Sequence, residues 1–333
     1  MILHLKEGIN QHKIQELADQ LQAVHYTSKD GYEVMITPSK LKEVPSFAVE
    51  FVNESFAASS DIQLASRDYR NEVREINING TKIGGKNRNS MVIGGPCSVE
   101  SWEQISESAQ LMKSLGITTL RAGCFKPRTS PYSFQGLGLE GLKLLDRARQ
   151  EYGLNIITEV RDASHVDDVI AYADIIQVGA KAMYDHGILR KCGKARKPVL
   201  VKRGFGTTLQ EFVQATEFIL SGGNEDVILC ERGIRTFETK TRFTLDLCGV
   251  AFLKEYTNLP IILDPSHAMG YRYGVPDLAR ACVAMDVDGL LIEVHPNPEV
   301  AMSDAAQQLN HQEFTDLHKS LSAVAGAIGR TLI

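Results

Sequence analysis

Cys97 follows the apolar run 91–95, His267 closes the run Ile-Ile-Leu-Asp-Pro-Ser-His at 261–267, and Glu293 ends the run that starts at Gly289. A thiol, an imidazole and a carboxylate thus each stand where an apolar stretch stops. Asp304, in Met-Ser-Asp-Ala, lies in the loop beyond the last of them. Cys97, His267, Glu293 and Asp304 form a mixed sulfur, nitrogen and oxygen set able to hold one divalent metal ion. Its softness suits Mn, Fe, Co, Zn or Cu better than Mg or Ca. The four are far apart in the chain, so they act together only if the fold brings the ends of these runs to one face.

A second set is cationic: Arg121, Lys126, Arg128, Lys202, Arg203, Arg232 and Arg235. Such a density of positive charge repels itself unless an anion is the intended occupant. Guanidinium forks match phosphate and carboxylate geometry. The expectation is a phosphorylated substrate, with two anionic groups to be held.

The elements that must position these groups begin at residue 91, where short apolar runs alternate with helical stretches, the pattern of βαβ units and a parallel sheet. Eight runs stand out, at 91–95, 118–122, 155–159, 175–178, 199–202, 227–231, 261–264 and 289–294. That number of strand–helix units predicts an α/β fold, a (β/α)8 TIM barrel over 91–333, in which all strand C-termini open on one mouth. At or just past those ends stand Cys97, Arg121, Glu159, Lys181, Lys202, Arg232, Asp264 with His267, and Glu293.

Residues 1–66 read as a smaller α+β unit of strands at 2–5, 23–27, 32–37 and 62–65 with helices at 11–21 and around 44–56. This βαββαβ order predicts a ferredoxin-like, ACT-like domain. Residues 67–90 form a connector and a β-hairpin turning at Asn79-Gly80, expected to cap the barrel floor.

Composition narrows the function classes. The chain has 333 residues, 43% hydrophobic and 23% charged, which suits a globular protein, and its net charge of −5 argues against nucleic acid as partner. No run approaches the roughly 18 apolar residues of a membrane span, and no signal peptide is evident, so the expected location is the cytoplasm. The six cysteines show no close pairing. Buried thiols in a reducing compartment are expected, Cys97 excepted. Gly136 to Gly141 spells G-x-G-x-x-G but follows no apolar strand, so it is not read as a nucleotide site.

At Lys126-Pro127-Arg128-Thr129-Ser130 the chain meets a family. With Gly95-Pro96-Cys97-Ser98, Lys202-Arg203-Gly204, Cys230-Glu231-Arg232-Gly233-Ile234-Arg235, Asp264-Pro265-Ser266-His267 and Ile292-Glu293-Val294-His295-Pro296, it closely resembles 3-deoxy-D-arabino-heptulosonate-7-phosphate (DAHP) synthases of the type I-beta class, some of which carry a regulatory head domain. The resemblance implies condensation of phosphoenolpyruvate with erythrose 4-phosphate, the opening step of the shikimate route to aromatic amino acids. By motif, Cys97, His267, Glu293 and Asp304 would ligate the metal. Arg121, Lys126, Lys202 and Arg232 would hold phosphoenolpyruvate, and Lys126, Arg128, Thr129 and Ser130 erythrose 4-phosphate, with Lys181 and Asp264 also among the substrate-binding groups. Lys126 would donate a proton to the new alkoxide and Glu159 would place the attacking water. The resemblance further implies a homotetramer, with tyrosine or phenylalanine as effector near His25 and Thr27. One departure stands after the fourth barrel strand, where the family usually has Gly-Ala-Arg-Asn and this chain has Gly179-Ala180-Lys181-Ala182. Lys181 keeps the charge without the fork.

Two rivals are weighed. A 3-deoxy-D-manno-octulosonate-8-phosphate synthase, taking arabinose 5-phosphate, typically carries Lys-Ala-Asn-Arg-Ser where this chain has residues 126–130, so the loop favours the four-carbon sugar. A lapsed barrel serving as an amino-acid sensor is disfavoured because every predicted ligand and nearly every cation is present.

Overall fold

The computed structural model describes residues 1–126, 130 and 132–333. The head contains β1 (Ile2–Leu5), α1 (Gln11–Leu21), β2 (Val24–Thr27), β3 (Glu33–Ile36) and β4 (Val52–Phe56), and its antiparallel sheet has the order β2-β3-β1-β4. That is the ferredoxin-like order, with α1 laid on one face through Ile14, Leu17 and Leu21. Asn10 caps α1 by accepting the Lys13 N–H, and Gln22 in a left-handed conformation ends it.

Two expectations for the head are corrected. The helix expected around 44–56 is only a single 3-10 turn, Val49–Phe51, and the strand expected at 62–65 is absent, its place in the sheet taken by β4. Pro45 removes a backbone donor at the start of that stretch. The β-branched Val49 and Val52 favour extension, and β4 buries neither face well enough to show a clean period. Residues 63–65 instead dock on the barrel.

The hairpin β5 (Glu75–Ile78) and β6 (Thr81–Gly84) turns at Asn79 and Gly80, both with positive φ (48° and 96°), as the Asn-Gly pair predicts. Ile76, Ile78 and Ile83 are buried with Met91, Ile157, Ile175, Leu200, Ile228 and Leu291 of the barrel interior, so the hairpin plugs the floor.

The barrel strands are β7 (Asn89–Gly95), β8 (Thr119–Arg121), β9 (Asn155–Val160), β10 (Ile175–Val178), β11 (Val199–Lys202), β12 (Val227–Glu231), β13 (Ile261–Leu263) and β14 (Gly289–Glu293). All pair in parallel and β14 returns to β7, closing the sheet. Around them run α2 (Trp102–Ser114), α3 (Leu139–Tyr152), α4 (Val166–Tyr172), α5 (His186–Lys194), α6 (Leu209–Leu220), α7 (Leu247–Tyr256), the short α8 (Pro265–Met269), α9 (Val275–Ala284) and α10 (His311–Ala327), and β15 (Thr331–Leu332) pairs in parallel with the start of β7. Side chains alternate along each strand. Val92, Ile156, Ile176, Val199, Leu229 and Leu290 face the helices, while their neighbours fill the interior.

Candidate active site

The inward line of each strand is apolar at the floor and polar at the top. Two residues beyond Ile157, Ile175, Leu200, Ile262 and Leu291 come Glu159, Gln177, Lys202, Asp264 and Glu293, and Arg121 follows Thr119 in the same way. A period of two thus delivers the chemistry to the mouth. Two glycines make the approach feasible. At Gly95 (φ 140°) a Cβ would lie 2.3 Å from the Arg121 carbonyl oxygen, and at Gly179 one would lie 2.1 Å from Glu159 Oε1.

The spacing in Asp264-Pro265-Ser266-His267 has a local cause. Asp264 caps α8: its Oδ1 accepts the His267 N–H at 2.9 Å, while Pro265 occupies the first turn. Its other oxygen lies 2.8 Å from His267 Nδ1, though outside hydrogen-bonding alignment, and 2.5 Å from Lys202 Nζ. Ser266 Oγ accepts the Glu293 N–H at 2.9 Å, tying this turn to β14.

Three of the four expected metal ligands converge: donor atoms of Cys97, Glu293 and Asp304 all lie within 4.8 Å of one another. His267 joins them from the side, its Nε2 lying 3.4 Å from Glu293 Oε1. Cys97 Sγ is 3.5 Å from Asp304 Oδ2 and 3.0 Å from Lys126 Nζ. Burial, reinforced by Glu293, pushes the Cys97 thiol up to about 12. Burial also opposes charge on Glu293 and Asp304, but His267 with Arg121 holds the first, and His267 with Arg242 and Lys126 the second, below the ordinary carboxylate range. A thiol, an imidazole and two ionised carboxylates at this separation fit a divalent transition metal, whose binding would release the thiol proton.

Above this cluster opens a cavity of about 450 Å³ whose wall carries the cations Lys126, Lys181, Lys202, Arg232, Arg235 and Arg242, together with Glu159, His267 and Asp304. Arg232 is buried, and its Nε and Nη1 have no hydrogen-bond partner among the described residues. Its guanidinium lies 4.3 Å from the Phe243 ring centre, and Arg235 lies 4.8 Å from that of Phe205. Aromatic faces hold these forks without neutralising them, an arrangement suited to an anionic guest.

Not every expected residue reaches the cavity. Arg121 is 1% exposed and lies beneath it, donating to Glu293 (2.7 Å), Glu159 (3.2 Å) and Gln177 (3.2 Å). Asp264 is fully buried and serves His267 and Lys202. Arg203, grouped above with the cations, is committed to Glu231 (2.9 Å) and Asp246 (2.8 Å) in the wall behind. Ser130 is half-buried, whereas Arg128 and Thr129 lie outside the described residues. His25 and Thr27 are remote, on β2 of the head, where both reach Glu33. Sequence reasoning missed Arg242, Gln177, Gln307 and Gln308. Gln177 was available from the period of two, and Arg242 sits in a long loop without a local signal.

Residues 67–328 match the model of the DAHP synthetase I family. A phospho-2-dehydro-3-deoxyheptonate aldolase of Thermotoga maritima is 45% identical over 267 residues, 80% of this chain and 78% of the relative. A 2-dehydro-3-deoxyphosphooctonate aldolase of Methylobacillus flagellatus is 34% identical, covering 64% of this chain and 82% of its own. Among solved structures, a phospho-2-dehydro-3-deoxyheptonate aldolase (DAHP synthase) of Thermotoga maritima superposes with a TM-score of 0.81 at 39% identity, covering 100% of this chain and 99% of that one.

Proposed function

The chain belongs to the DAHP synthetase I family, and on that premise we propose that its barrel mouth joins phosphoenolpyruvate to erythrose 4-phosphate with water, giving DAHP and inorganic phosphate. The observation that carries this reading is the meeting of a transition-metal donor set with six cations on one cavity. C3 of phosphoenolpyruvate attacks the aldehyde carbon, water adds at C2, and phosphate leaves by cleavage of its C–O bond. Bound by Cys97, His267, Glu293 and Asp304, a metal ion would supply Lewis acidity at the aldehyde.

The chain's own residues do the rest. Lys202, Arg232 and Lys181 hold the phosphate of phosphoenolpyruvate. Arg121 acts from beneath the cavity, its contacts with Glu293, Glu159 and Gln177 fixing those side chains under the bound phosphoenolpyruvate. Erythrose 4-phosphate takes the Lys126 to Ser130 side. Holding both anions in a near-attack arrangement removes much of the entropic barrier. Lys126 is the proton donor to the nascent alkoxide. Burial works against its charge, yet Cys97 beside it raises its affinity for the proton. Glu159, on the cavity wall, places the water. Asp264 acts through its neighbours, accepting the His267 backbone N–H and neutralising Lys202.

The head is read as regulatory, with tyrosine or phenylalanine bound near His25 and Thr27 on the edge strand β2, and the protein as a cytoplasmic homotetramer. No described helix is long and apolar enough to cross a membrane. The experiment is a phosphate-release assay with phosphoenolpyruvate and either erythrose 4-phosphate or arabinose 5-phosphate. Turnover with the four-carbon sugar is expected, and turnover with the pentose alone would refute the assignment.

A further inference from the structure

Asp304 is followed by a 3-10 turn, Ala305–Gln307, and then by Gln308 in an extended conformation. The backbone here runs beside the end of β14: Leu309 donates its N–H to the Glu293 carbonyl at 3.0 Å, and a parallel bridge joins Val294 to Leu309. Two consecutive glutamines are therefore carried under the mouth, 1% and 0% exposed. A buried carboxamide is costly unless both its ends are used. Both ends of both are used, and their partners lead to the metal donors.

Gln307 Nε2 donates to Glu293 Oε2 at 2.6 Å, and its Oε1 accepts from Arg242 Nη1 at 2.6 Å. A guanidinium can only donate and an ionised carboxylate only accept, so these partners fix which end of the amide faces which. Gln308 Oε1 accepts the Cys97 N–H at 3.0 Å, and its Nε2 donates to the Ser303 carbonyl at 2.8 Å. Ser303 precedes Asp304, which adopts φ 46° and ψ 37°, a backbone region that residues with a Cβ rarely enter. Gln307 closes the other side of that residue, its N–H donating to the Asp304 carbonyl at 3.2 Å.

We propose that Gln307 and Gln308 are positioning residues of the metal centre: one carboxamide holds the Glu293 carboxylate, the other ties the Cys97 backbone to the Asp304 loop, and three donors are set before a metal arrives. The inference rests on the metal-dependent reading above. Residue type matters at both places. Glutamate at 307 would face Glu293 with like charge, and a shorter hydroxyl would not span the gap to Arg242. Since Arg242 also lines the cavity, Gln307 connects an anion-facing guanidinium to a metal ligand through a single side chain.

The test is cobalt(II) titration of the full-length, chelator-stripped protein. The thiolate-to-cobalt charge-transfer band reports Cys97, and competition with a chelator gives the dissociation constant. Gln307→Met and Gln308→Met keep chain length and remove the polar ends. Each is expected to bind cobalt about 10–100-fold more weakly, with a shifted band, as outer-layer partners of metal ligands generally do. If either methionine variant does not fold, Gln307→Asn and Gln308→Asn, which retain both polar ends but shorten the reach, carry the same expectation. A folded variant with lowered melting temperature but the parent's cobalt affinity and band would make the glutamines merely structural and overturn the proposal. A parent protein that shows no thiolate band would instead sink the metal reading on which it rests.

Discussion

Asp264 shows how one buried carboxylate can set two functional groups. Burial works to protonate it, but His267 and Lys202 hold its carboxyl well below the usual range. Its charge in turn neutralises Lys202 and faces the His267 ring. Asp264→Asn keeps the shape and removes the charge, leaving a buried ammonium uncompensated. We expect metal affinity to fall about 10–100-fold, with kcat falling alongside. Chelator competition and steady-state kinetics check this, and unchanged metal affinity would assign Asp264 to the substrate alone. At this scale much of the site was legible, because ionisable residues at strand ends, two positions beyond apolar ones, must share the mouth of a closed barrel. Legibility stopped where contacts cross between loops. Nothing in the spacing of Arg242 and Gln307 announces their pairing, and Arg203 reads like a substrate cation until Glu231 and Asp246 are seen to claim it.

Among the elements, the contact between the head's linker and α6 carries a titrating group. Glu217, half-buried on α6, accepts the backbone N–H groups of Gln63, Leu64 and Ala65 at 2.9, 3.2 and 2.8 Å. Burial of this carboxyl beneath the linker outweighs those donors and raises it from 4.5 to about 7. Between these values the folded protein binds more protons than the unfolded chain, so this group's contribution to stability declines as pH rises through the window. Its size is on the order of 1–3 kcal/mol. Glu217→Gln does not titrate, so the melting temperature of the variant should vary less than the parent's between about pH 4.5 and 7. Identical slopes would contradict the assignment. The eight barrel strands and the Asn79-Gly80 hairpin were readable because their signals are local and repeated. The second helix of the head was not, since the stretch holding Pro45, Val49 and Val52 is settled by docking on β1 and on the head's own apolar core rather than by its own periodicity.

For the whole molecule, head and barrel are joined by that linker and by Arg74, which donates to Asn258 at 2.9 Å, to the Leu64 carbonyl at 3.0 Å and to Glu225 at 3.1 Å. The cavity and metal donors lie entirely within the barrel, so a chain lacking residues 1–66 should keep turnover. It should melt at a lower temperature, since Glu217 loses three donors, and its phosphate release should no longer respond to tyrosine or phenylalanine. A truncated chain as strongly inhibited as the full one would remove the regulatory reading of the head. The central claim, a metal-dependent condensation at the barrel mouth, is tested most directly by following phosphoenolpyruvate loss and phosphate release together in the presence of erythrose 4-phosphate. The assay compares chelated protein, metal-restored protein and the Cys97→Ala variant. The account predicts equal amounts of both signals, abolished by chelation, restored by manganese or another transition metal, and lost in Cys97→Ala. Full turnover by the chelated protein, or by Cys97→Ala, would contradict it.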